Sequence, residues 1–62
     1  MCLSTVNKNE KTAENVVMKN VMAIEWKDGC VILTDLMDRT VAIEGKLLSA
    51  NLVDGFVIVQ EN

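Results

Sequence analysis

The sequence predicts an all-β fold: a small antiparallel meander of six to seven short strands, closed as an SH3-like or Sm-like barrel. Three observations lead there. Half of the 62 residues are apolar, and many are valine and isoleucine, whose branched side chains suit a pleated, half-buried surface. Two Asp-Gly pairs, Asp28-Gly29 and Asp54-Gly55, each stand between apolar runs. A two-residue hairpin turn of type I′ needs positive φ at both central residues, which Asp-Gly supplies. Between the turns, apolar and polar residues alternate with a period of two. The chain has no proline and no low-complexity segment, so residues 1–62 read as one small β domain.

The first strand is expected over Cys2 to Val6, where the pattern does not orient it. Lys8 to Ala13 reads as a polar loop. Ala13, Val17, Val21 and Ile24 have helical spacing, but the β-branched pair Val16-Val17 favours a short strand from Glu14 to Met18, and Lys19-Asn20 reads as a turn. Met22, Ile24 and Trp26 then share one face, opposite Ala23, Glu25 and Lys27, with Trp26 expected to cap the end of the core. After Asp28-Gly29, the residues Cys30, Ile32, Thr34 and Leu36 oppose Val31, Leu33 and Asp35. Met37-Asp38-Arg39 forms the next turn, and Gly45 ends the strand TVAIE. Leu48, Ala50 and Leu52 oppose Ser49 and Asn51. The last strand is apolar on both faces from Phe56 to Val59, which suits a closed barrel or a covered dimer interface. As an alternative, Phe56 to Gln60 is the candidate edge through which an interaction module would add a strand to a partner.

A domain of this size buries only about 60% of its unfolded surface, so its core is thin and oligomerisation or a metal is the expected support. Two cysteines, Cys2 and Cys30, are too few for a secreted disulfide scaffold. The opening MCLSTVNKNEKT lacks the basic start and apolar run of a secretory signal, and no apolar stretch is long enough for a membrane helix. A cytoplasmic, reducing location with free thiols follows.

The net charge is −3, and the six basic residues are scattered. Nucleic-acid affinity rests mostly on clustered Lys and Arg, so a small RNA-binding barrel is disfavoured. Only Trp26 and Phe56 offer stacking surfaces. Catalysis lacks its usual base, because there is no histidine. Asp35 and Asp38 flank a turn and read as solvated acids, as do the glutamates. The four methionines are spread along the chain and read as core filler.

Cys2 stands apart by position. Removal of Met1 would leave a thiolate, a free amine and a backbone amide within one or two chelate rings. Such sulfur and nitrogen donors suit Ni(II) or Cu(II). The neighbouring ammonium favours the thiolate, and in a twofold dimer two copies of Cys2 would meet at the axis and share one metal. Cys30 directly follows a turn with no second soft ligand beside it, and reads as packing.

The opening Met1-Cys2-Leu3, the strand ending in Val21, the run CVILTDLMD, then VAIEG, then LLSANLVDGFVIV together resemble the CooT family over nearly the whole chain. These are small nickel-binding proteins tied to maturation of carbon monoxide dehydrogenase. The resemblance implies a homodimer that holds one Ni(II) through the two Cys2 residues and N-terminal backbone nitrogens. It implies an apo nickel enzyme, such as carbon monoxide dehydrogenase, as the client. No role passes by resemblance to Cys30.

Overall fold

A computed structural model describes residues 3–62. Five strands follow one another: β1 (Ser4–Lys8), β2 (Val16–Lys27), β3 (Cys30–Asp35), β4 (Thr40–Asn51) and β5 (Phe56–Glu61), with a short 3-10 turn at Ala13–Asn15 before β2. They close into a barrel in the order β1-β2-β3-β4-β5. Each consecutive pair is antiparallel, and β1 pairs with β5 in parallel. The parallel seam follows from parity: in a meander of five strands the first and last run in the same direction.

The expected fold class holds, and the strand count is lower for a definite reason. Two pairs of expected short strands are each one long bent strand. Lys19-Asn20 does not end a strand. Asn20 adopts a left-handed φ of 57°, and the register of β2 slips between Val21 and Ala23. The first half of β2 pairs with β1 and the second half with β3. A bulge bends a strand and increases its local twist, which lets β2 turn the corner of the barrel.

Gly45 likewise does not end a strand; it lies inside β4. Glu44 faces Cys30 of β3, whereas Gly45 faces Glu61 of β5. A Cβ on Gly45 would lie 1.8 Å from the Gln60 carbonyl oxygen. The corner of β4 closes only because no side chain is there.

Asp28 and Gly29 have φ of 53° and 76°, the two positive values that a type I′ hairpin demands. The second Asp-Gly pair works differently. The β4–β5 connection runs from Leu52 to Gly55, and among these residues only Gly55 has positive φ. The Gly55 N–H donates to the Asn51 carbonyl at 2.8 Å, and the Asn51 side chain accepts from the Asp54 N–H. This is a wider turn, held by an asparagine side chain.

The core consists of Val6, Val21, Val31, Leu33, Ile43, Val57 and Val59, with Val17, Met18 and Val41 packed against it. On β3 the buried face is Val31, Leu33 and Asp35, as the alternation divides it, and Cys30 is half-buried on the other. Strand β5 is hydrogen-bonded on both sides, to β4 and β1, so Phe56 to Gln60 is not a free edge.

Asp35 is not a solvated turn acid; it is 2% exposed. Its carboxylate accepts from the Met37 and Arg39 backbone N–H groups at 2.9 Å each and from Arg39 Nε at 2.7 Å. Burial by itself pushes the Asp35 carboxyl up. The Arg39 and Met37 hydrogen bonds and the guanidinium charge outweigh it and hold the group below its ordinary value. The stabilisation is therefore full above the unfolded aspartate pKa of about 3.9 and is lost as pH falls through the lower folded value. Asp35→Asn keeps one acceptor and places an amide against the Arg39 donor. It is expected to melt several degrees lower at pH 7 and to decline less steeply than the parent below pH ~4. Thermal melts from pH 7 to 3 check this, and equal melting at pH 7 would count against the bracing role.

Candidate functional site

Two places deserve comparison: the region where the chain enters the barrel at Ser4, and the surface around Cys30. Ser4 is fixed from both sides. It lies opposite Val21 in β2, while the next residue, Thr5, donates its N–H to the Gly55 carbonyl at 2.8 Å and lies opposite Phe56 in β5. Leu3 thus enters between the bend of β2 and the β4–β5 turn. Beside it lies a groove of about 270 Å³, lined by Ser4, Val21, Met22, Ala23, Ile24, Leu52 and Val57. None of these residues is charged.

Cys2, the sequence-predicted ligand, lies outside the described residues. In sequence it precedes the fixed Ser4 by two residues. Cys30 starts β3 opposite Lys27 of β2 and Glu44 of β4. From Val21, the partner of Ser4, to Lys27 is six residues along β2. That is roughly 20 Å at the rise of a strand. Ser4 and Cys30 therefore sit at opposite ends of the β2–β3 ribbon. Among the described residues, no three Cys, Asp or Glu side chains cluster closely enough to hold a metal ion.

Other features are polar grooves. One, of about 340 Å³, lies on the far side of β1 between Asn7, Thr12 and Phe56, with the Lys11 ammonium 3.8 Å above the Phe56 ring. Phe56 is thus covered by a cation rather than open for stacking. Another, of about 460 Å³, includes Lys19, Asn20, Arg39 and Thr40, with Arg39 already bonded to Asp35.

The family model for the CO dehydrogenase accessory protein CooT matches residues 1–60. The chain belongs to the CooT family. CooT is thereby an accessory-protein family in its own description, and the match covers the stretch that contains Cys2. A crystal structure provisionally described as CooT from Carboxydothermus hydrogenoformans has the same fold. The TM-score is 0.86, the identity 15%, and 98% of each chain is covered. At that identity the likeness is one of architecture. No curated protein matches the chain. No helix is long and apolar enough to cross a membrane among the described residues.

Two features of this CooT barrel escape the sequence reading. Trp26 does not cap the core: it is 59% exposed, although it lies opposite the buried Val31 and so faces the core side of the sheet. Beyond Val21, β2 is paired with β3 and no longer with β1. Met22, Ile24 and Leu52 are uncovered as well, and among the described methionines only Met18 packs on the core. Asp35 is the second, and its signal was present: an aspartate opening a turn, with an arginine four residues on, is the pattern of an Asx-type turn braced by a charge.

Proposed function

We propose that the chain is a nickel-binding accessory protein that holds Ni(II) between two copies of itself through Cys2. Its task is to carry the ion to apo carbon monoxide dehydrogenase in the cytoplasm. The observation that carries the reading is membership in an accessory-protein family of that enzyme, with Cys2 inside the matched stretch.

The chemistry supports it. A thiolate and an amine at one chain start, with a deprotonated amide between them, make a donor set of the kind Ni(II) prefers. The ion is cargo, so a site at a chain start serves better than one in the core: it can be reached and released. Each chain contributes one such set, and a twofold axis would bring two together. Deprotonated ligands are needed, so uptake should weaken as pH falls.

Equilibrium dialysis of Ni(II) against the parent, Cys2→Ser and Cys30→Ser tests the assignment, after an intact-mass check that Met1 is absent. Cys2→Ser is expected to lose nickel at least 100-fold, and Cys30→Ser to match the parent. Retention of tight binding by Cys2→Ser would refute the site.

A further inference from the structure

We propose that two copies of this chain pair through the uncharged groove beside Ser4, with Ile24, Trp26 and Leu52 at the centre of the contact. This rests on the dimeric reading above and adds the face through which the dimer forms.

The core fixes what is left for the surface. It is built mostly of valines, and the chain leaves long apolar side chains outside it. Met22, Ile24, Trp26 and Leu52 are 48, 40, 59 and 69% exposed. Three of the four line the same groove, and Trp26 lies two residues beyond Ile24 on the same face of β2. Together they leave uncovered apolar surface on the order of 400 Å², large for a chain whose whole surface is 4261 Å².

The area fits a second copy. A stable interface covers about 800 Å² per partner, of which about six-tenths is apolar, or about 500 Å². The patch supplies most of that amount. Its composition fits too: an enriched Trp and Met, and no charged residue in the groove lining. The chain carries a net −3, and a contact on an uncharged lining brings no like charges close together. Glu25 and Lys27 point away, since their cross-strand partners are Ile32 and Cys30 rather than the buried Val31 and Leu33. A twofold contact uses one patch on both copies, and an apolar patch is self-complementary in the way this requires.

The placement has a consequence for the chain start. Ser4 lines the groove, so pairing across it sets the two copies of Ser4 beside one axis. The shared site would then be assembled by the dimer before nickel arrives.

Sedimentation equilibrium and Trp26 emission, both without metal, test the proposal. Trp26 is the single tryptophan and there is no tyrosine, so its emission reports on this face alone. The parent is expected to be dimeric at micromolar concentration, with Trp26 emission shifting to the red on dilution. Leu52→Asp lies in an exposed turn and Trp26→Lys on the open end of β2, so both variants should keep the parent's circular dichroism. Each is expected to raise the dimer dissociation constant about 30-fold or more. Cys2→Ser should dimerise as the parent does, which separates this contact from the metal site. A metal-free monomer at tens of micromolar, or a dimer indifferent to both variants with unchanged Trp26 emission, would overturn the proposal.

Discussion

Gly45→Ala is expected to leave no cooperatively folded barrel at 25 °C. The added Cβ would meet the Gln60 carbonyl oxygen at 1.8 Å and its carbon at 2.9 Å. Both atoms belong to backbone that β4 pairs with, so neither can swing aside as a side chain would. Relief requires separating β4 from β5 at the corner where β4 passes from one partner to the other. Strain of this kind costs more than about 4 kcal/mol, and a chain of this length has only about 3–9 kcal/mol of stability in total. Gly29→Ala is the informative control. Nothing lies within 4 Å of its new Cβ, so only the left-handed backbone, with φ of 76°, is penalised. The cost there is about 1–2 kcal/mol. Urea unfolding followed by circular dichroism distinguishes the two. A Gly45→Ala protein whose stability in urea falls within about 1 kcal/mol of the parent would mean that the corner is looser than described.

Leu33→Ala is expected to destabilise by about 2–5 kcal/mol, a large share of the total. Leu33 is the largest fully buried apolar side chain, and it lies opposite both Ile24 of β2 and Val41 of β4. A core made mostly of valines has few long side chains with which to refill the space. Val53→Ala, at a position 96% exposed, should change stability by less than about 0.5 kcal/mol. The same urea titrations provide the readout, and a Leu33→Ala loss below about 1 kcal/mol would show that the core can collapse around the gap.

Much of this architecture is legible in the residues because the signals are local. Asp28-Gly29 announces a type I′ turn, and the alternation around Leu33 divides β3 into the faces it has. The corners are less legible because they depend on distant partners. Asn20 and Gly45 look like breaks, since asparagine and glycine commonly end strands. In the barrel each is instead the place where one strand bends and changes neighbours. Trp26 shows a related limit. Alternation assigns a side chain to a face, but only tertiary structure says whether that face is covered. Cys2 is legible only from its position and the resemblance, because it lies outside the described residues.

The central claim is that Ni(II) is held at a shared site built from Cys2. The most direct measurement is a Ni(II) titration of the metal-free protein with Met1 absent, followed through the sulfur-to-nickel charge-transfer absorption. The account predicts a band that saturates near one nickel per two chains and does not form in Cys2→Ser. A titration that reaches excess nickel with no such band, or one whose band survives in Cys2→Ser, would contradict it.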